Sequence, residues 1–489
     1  MDGTKACWAS LPRELQLHIL EHLATAHGSP TSPRRGIARF ASVSKDWQDF
    51  FEETTFKNFV LRLPDLIPFR QHTQSPRRRG YVRHIWLRLV EPDPEDEDPA
   101  IPWNQSRSHF GPATLYLWDT LASWGVQESR EGLTLEISSH TLAGLSTYAN
   151  CMPKDDVNHY SKHLETGTLA QYDDVEPFGH TGPLWFTHIG QSTSMLSGAV
   201  QALFSYDIRL SRIRLPHVEV VTKLLTRRAN TRNLHPDSLD QIMKSLPRLK
   251  EIHVERWRLR SEYEERRWLK GLNDICRDGF PASVKKFAIL HEASNTPYFS
   301  RIFRRGVKVD RGELVGSVVQ GCLLLEHLAL CFIVDADEFL NNAPGFPELK
   351  TLTLTAEVFR SESHDSDVEI ERRIKIKTLL LLAALAACRM SKLELMEIWN
   401  GRNGQASLFR YKVSTVLAEI TWKSTHGDAI VDDDVVKAWE ATARVHGRSD
   451  LRSSVTRLED DRYRYYGSLL PHLESKEHFI HEVSAAQMK

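Results

Sequence analysis

The sequence predicts an α/β chain in two unequal parts, a small all-α module at the N-terminus and then an irregular leucine-rich-repeat-like α/β solenoid. Three observations lead there. Apolar residues at helical period fill the segment from Trp8 to Leu63. Short L-x-x-L-x-L runs, each preceded by helical or loop sequence, then recur along the rest of the chain. A strand of that kind buries its apolar face only when neighbours stack beside it, which is the physical logic of a solenoid.

The first helix is expected from Ser10, a plausible N-cap, with Pro12 in the first turn and Glu14 near the positive end of the helix dipole. Leu11, Leu15, Ile19 and Leu23 are spaced four apart with Leu20 alongside, which makes one apolar stripe. After a polar break from Gly28 to Gly36, a second helical pattern runs through Ile37, Phe40, Val43 and Trp47. Each fully buried Leu or Ile contributes roughly 1.5–3 kcal/mol. Helices this short gain most of that by packing on a neighbour or a partner.

The combination LP-x-E-L, I-L-x-x-L, A-S-V-S-K-D-W and T-F-x-x-x-x-L resembles an F-box. ARFASVSKDWQDFFEETTF followed by RRRGYVRHIWLRL is similar to the F-box proteins of filamentous fungi. The resemblance implies that residues 8–63 grip a Skp-type adaptor and through it a cullin ubiquitin ligase. It carries adaptor contact onto Leu11, Pro12, Glu14, Leu15, Ile19, Leu20, Leu23, Val43 and Trp47. The polar insert between the two helical patterns is longer than in a compact F-box.

Residues 64–130 read as a linker with the first solenoid elements. Within them, Glu91 to Pro99 (EPDPEDEDP) reads as a solvated acidic loop. The basic run Arg77-Arg78-Arg79 reads as a solvated loop before a strand. The solenoid is expected over 131–425. Its clearest strands are Leu249-Ile252-Val254, Val284-Phe287-Ile289, Leu325-Leu328-Leu330, Leu349-Leu352-Leu354 and Leu393-Met396-Ile398, with Val82-Ile85-Leu87 and Leu133-Leu135-Ile137 as earlier members. Asp237 to Leu246, capped by Asp237 and closed by Pro247, supplies a helix for one repeat. Ile370 to Cys388, apolar on nearly all sides, supplies another that should be thoroughly buried. LPHVEVVTKLLTRR, SLPRLKEIHVERW and LELMEIWNG are similar to the leucine-rich region of the same fungal family, without the Asn ladder of standard repeats. The region from Ser138 to Thr181 reads as long loops. Residues 426–489 are expected to cap the open end, since a solenoid needs an atypical last repeat.

Composition narrows the function. With 41% hydrophobic residues, 26% charged residues and a net charge of −1, the chain lacks the basic bias of a nucleic-acid binder. Its six cysteines are scattered without a C-x-x-C, as expected for reduced thiols in cytoplasm or nucleus, and this leaves the Asn104 sequon without a role. The longest strongly apolar run, Leu379 to Ala387, is far short of the ~18 residues that cross a bilayer. His18-Ile19-Leu20-Glu21-His22 matches H-x-x-E-H, and the two histidines share a helical face that suits zinc. The match lies inside the F-box helix, where Ile19 and Leu20 are wanted for packing, so no metal and no cofactor are expected. His478 and His481 read as ordinary polar residues. No nucleophile elbow, P-loop or dinucleotide fingerprint is present, which leaves no specific reason to propose an enzyme, and a substrate receptor of the kind the resemblance implies is expected to be non-catalytic.

Period-two alternation then selects the face of the strands that looks away from the apolar core. The candidate target-binding residues are Glu251, His253, Glu255, His327, Thr351, Thr353, Glu397 and Trp399, expected to pave an open surface. Trp399 among acidic residues has the composition of an interaction hot spot. The expectation is a substrate receptor of a ubiquitin ligase with a protein target. The alternative is a leucine-rich scaffold that binds partners without any ligase.

Overall fold

The computed structural model describes residues 8–27, 35–91, 108–125, 132–141, 207–210, 213–228, 230, 232–259, 262–292, 312–360, 366–402, 404–426, 430–459, 463 and 466–487. Helices α1 (Arg13–His27), α2 (Arg35–Phe40) and α3 (Lys45–Phe56) come first. The first helix starts later than expected. Trp8–Ser10 is a 3-10 turn, and the Pro12 carbonyl accepts from Gln16 N at 3.1 Å. The second pattern is two helices, because Ser44 is extended and caps α3 by accepting from Trp47 N at 3.4 Å.

The expected module boundary at residue 63 is corrected as well. Asn58–Leu61 is strand β1 and pairs in parallel with β2 (His84–Glu91). Phe59 and Val60 suit a strand, and buried Val60 and Leu61 give that pairing its apolar reason.

The remaining strands are β3 (Leu133–Thr141), β4 (Val221–Thr226), β5 (Glu251–Trp257), β6 (Lys286–Glu292), β7 (His327–Asp335), β8 (Thr351–Thr355), β9 (Leu395–Arg402), β10 (Gln405–Val413), β11 (Ala418–Ser424) and β12 (Leu451–Arg457). They form one open twelve-stranded sheet in chain order. The pairs β9–β10 and β10–β11 are antiparallel and the others parallel. The apolar runs lie in one register, with Ile85, Leu135, Leu224, Ile252, Phe287, Leu328, Leu352 and Met396 as successive cross-strand neighbours. Val254, Ile289, Leu330, Leu354 and Ile398 form the next row.

Helices cover the face these rows present. They are α4 (Leu66–His72), α5 (Pro76–Tyr81), α6 (Phe110–Ala122), α7 (Pro236–Lys244), α8 (Glu262–Asp278), α9 (Gly312–Gly321), α10 (Ala336–Asn342), α11 (Ser366–Ala387) and α12 (Asp433–Val445). From α7 to α12 each helix packs on the next, and their buried side chains join both strand rows in one continuous core. Helix α7 begins at Pro236, and His235 rather than Asp237 caps it, Nδ1 accepting from Asp237 N at 3.2 Å. Helix α11 is less buried than its composition suggested. Ile376, Leu380 and Ala383 face the core, whereas Ile370, Ile374 and Leu385 are exposed on its outer side.

The other expectations meet a mixed outcome. Ser138–Thr141 continues β3 and is not loop. Residues 92–99 of the acidic run, Asn104, 142–181, Cys7 and Cys151 lie outside the described residues. The last segment does not close the end of the sheet. Helix α12 and β12 extend both layers, with Arg452 to Arg457 exposed along the edge strand. The chain then folds back as a 3-10 turn (Tyr466–His472), α13 (Lys476–Phe479) and α14 (Glu482–Gln487). Among the described residues no helix is long and apolar enough to cross a membrane.

Candidate docking surfaces

The N-terminal helices are held together by aromatic side chains. Trp47 packs on Trp8 (ring centroids 5.2 Å apart) and on Phe51 (5.8 Å), and Phe51 packs on Phe40 (5.2 Å). The Gln16 amide donates to the carbonyls of Trp8 and Leu11, tying the 3-10 turn to α1. This packing splits the stripe read from the sequence. Leu20, one of the positions to which the resemblance carries adaptor contact, is fully buried on the inner face of α1. Leu11, Leu23 and Trp47 are half-buried, and Pro12 and Glu14 are exposed. Leu15 (50% exposed) and Ile19 (38%) lie one turn apart on the outer face, and Val43 (59%) protrudes from the turn before α3. An exposed i, i+4 aliphatic pair is an apolar surface that no described residue covers.

The basic run proves to be structural. Arg77–Arg79 lie in α5, where Arg77 pairs with Asp49 and Glu52, and Arg78 reaches Glu52 at 2.8 Å. Arg79 donates to the carbonyls of Thr73 and Ser123. Burial alone would raise the Glu52 carboxyl, but hydrogen bonds from Arg78, Arg77 and Gln48 overcome it and hold the group at about 2. Two charges that composition assigned to solvent, Arg77 and Arg78, therefore clamp α3 to α5.

The opposite face of the sheet is not the open surface expected of it. His253, Glu255, Thr351, Thr353, Glu397 and Trp399 are buried, and Glu251 and His327 are half-buried. The alternation is as read: Met396 and Ile398 join the helix-side core, while Trp399 belongs to a separate cluster with Ala288, Ala329 and Cys331. What differs is the cover. Tyr466, Leu469, Leu470, Leu473, Phe479 and Ile480 of the C-terminal segment complete that second cluster. Trp399 stacks on Phe479 with centroids 5.7 Å apart, and Phe332 meets it edge-on at 5.3 Å. Phe332 sits at a break in the β7–β8 register with φ of 62°, a conformation that disfavours a bulky residue, and its N–H donates to Thr355 Oγ1 at 2.7 Å.

Two buried carboxylates hold the segment by its backbone. Glu397 accepts from Glu474 N (3.1 Å), Ser475 N (2.9 Å) and Ser475 Oγ (2.5 Å), and it pairs with Arg410 at 2.6 Å. Glu255 accepts from His481 N at 2.6 Å, Arg228 N at 2.8 Å and His253 Nε2 at 3.1 Å. Burial opposes the charged form of Glu255, but His253 and the His481 N–H prevail and its carboxyl is lowered. His478 stacks on His327 at 4.7 Å, so His478 and His481, read as ordinary polar residues, are part of the contact. The tail contacts were missed because each is formed with a strand far away in sequence. The apolar spacing of Leu469, Leu470, Leu473, Phe479 and Ile480 was the available signal.

His18 and His22 are exposed on α1. Among the described residues no group of three or more His, Cys, Asp or Glu side chains is placed to hold a metal ion.

A family model described as a family of unknown function (DUF6546) matches residues 279–481, under half of the chain. The match begins just before β6 and ends within the C-terminal segment. None of the curated proteins compared with the chain matches it.

Proposed function

We propose that the protein is a non-catalytic substrate receptor of a cullin-type ubiquitin ligase. The N-terminal helices act as an F-box that binds a Skp-type adaptor. The sheet with its helices acts as a degenerate leucine-rich-repeat-like solenoid that binds a target protein. The observation that carries the reading is the exposure of Leu15, Ile19 and Val43 on a module whose Leu20 and Phe51 are fully buried. These three are among the positions at which the sequence resembles an F-box. Buried apolar area at such a contact is the source of affinity. The strictly sequential order of the parallel strands supports the solenoid half. Receptors of this kind work by raising the effective concentration of target lysines near a ubiquitin-loaded enzyme. The clamp between α3 and α5 serves that task by holding the adaptor module at a set angle to the sheet.

Co-expression with a Skp-type adaptor tests the reading. The intact chain is expected to co-purify with the adaptor. A Leu15→Asp, Val43→Asp variant is expected to lose it while keeping its thermal unfolding midpoint, because both side chains are solvent-exposed. A folded chain that fails to bind the adaptor overturns the F-box half. A complex that forms but never recruits a cullin points to the scaffold without ligase.

A further inference from the structure

We infer that residues 466–487 are an internal ligand of the sheet face, and that a target segment of the same chemistry docks there by displacing them. The inference rests on the target-binding half of the reading above.

The segment adds no strand to the sheet, and the helix-side core closes without it. It lies across β5 to β9 and makes its own apolar cluster on a floor of small side chains, Ala288, Ala329 and Cys331. Leu469, Leu470, Leu473, Phe479 and Ile480 of the tail are buried in the same cluster as these floor residues. The polar contacts are of the kind that recognises a peptide. Glu397 and Glu255 receive main-chain N–H groups of Glu474, Ser475 and His481, and a main-chain N–H is common to every non-proline residue. The chemistry selects an extended or 3-10 segment with aliphatic anchors, a small hydroxyl residue two positions on, and an aromatic-aliphatic pair four further along, as Leu473, Ser475, Phe479 and Ile480 provide. Tail docking also leaves an opening for a competitor. Thr353 Oγ1, buried in the same cross-strand row as Glu397, meets no hydrogen-bond partner among the described residues. A segment that reached it would gain a contact the tail does not make.

The test uses the full chain and a fluorescent synthetic peptide of residues 466–487. An occupied face lowers the apparent affinity of a competing ligand by the fraction of molecules in which it is open. The labelled peptide is therefore expected to bind an Ile480→Asp variant about tenfold or more tightly than the unaltered chain. Hydrogen exchange on the unaltered chain is the companion measurement, independent of how the variant folds. The amides of Ser475 and His481 are expected to exchange about tenfold or more faster than those of Ile289 and Leu330, through an opening that leaves the strands protected. Exchange of all four at one slow rate would make the tail an inseparable part of the core and overturn the inference. So would a variant with protected strands that does not bind the peptide. Neither readout involves the adaptor, so failure here is distinct from failure of the F-box reading.

Discussion

The two faces of the same sheet are stabilised in different ways, and the difference separates scaffold from surface. On the helix side, Ile252 and Val254, Phe287 and Ile289, Leu328 and Leu330, Leu352 and Leu354, and Met396 and Ile398 are aligned in two rows and joined to α7–α12 in one core. On the other side most of the intervening residues are charged, hydroxylic or small, with Trp399 and Leu290 among them, and among the described residues a terminal segment covers them, held by buried carboxylates and an aromatic cluster. Apolar rows require no particular partner geometry beyond volume. Buried carboxylates do, because each must be met by donors or charge. The first face is filled by volume, the second only by donors and charges placed to match it.

The strongest way to break the comparison is to change the charge on each face, adding one on the helix side and removing one on the other. Leu352→Asp, in the middle of the helix-side rows, is expected to abolish folding, seen as loss of the cooperative transition in circular dichroism. Glu397→Ala, directly on the other face, removes the acceptor for three tail bonds and leaves Arg410 with Glu474 as its remaining carboxylate. Breaking a buried pair of this kind costs about 3–5 kcal/mol. We expect that loss to fall on tail docking, with faster exchange at Ser475 and a retained sheet signal. Equal global unfolding in both variants would make the two faces one unit.

Acid separates regions of the molecule by their titrating groups. His327 is lowered to about 4, first by burial and then by His478 and Lys286, and His478 is lowered by burial and Lys286. Glu326 and Lys350 also face His327, and Glu251, Glu477 and Glu397 face His478. A released histidine titrates near its ordinary value of about 6.5. The docked tail therefore binds fewer protons than the released one, and its docking weakens as pH falls from about 6.5 towards 4. Glu52 behaves in the opposite sense of charge. Its carboxyl is held at about 2, so the α3–α5 clamp is intact above its ordinary value and is lost only as pH falls from there to about 2. A pH series of hydrogen exchange should thus show the tail opening before the N-terminal clamp. The reverse order would contradict the assignment of both groups.

The smallest expected effect lies in the N-terminal module. Ser44→Ala removes the cap of α3 and should lower stability by about 1 kcal/mol, read as a modest drop in Tm. A drop as large as that of a core substitution would mean that α3 nucleates more than its own module.

Much of the architecture was legible along the chain. The strands starting near Val82, Leu133, Leu249, Val284, Leu325, Leu349 and Leu393 were visible from their apolar spacing, because alternation is a local property of sequence. The strands β1, β4 and β12 and the β10–β11 hairpin were not, since their residues alternate weakly or carry Lys, Arg and Ser that a strand tolerates only in context. On the N-terminal module, periodicity placed Leu15, Ile19 and Leu20 on a helix but could not tell which would turn inward. That choice belongs to Gln16, Trp8 and the aromatic side chains that pack around Trp47.

By itself, then, the sequence determined which side chains share a face: Met396 with Ile398, Glu397 with Trp399. Only the tertiary structure decided that the second pair would be buried. Burial depends on what arrives from elsewhere, and here Ser475 and Phe479 come back from beyond β12 to meet Glu397 and Trp399. The same holds for Arg77 and Arg78, whose charge read as solvated until Glu52 was folded against them. Period and polarity are written residue by residue, whereas the partner of a buried charge is chosen by the fold.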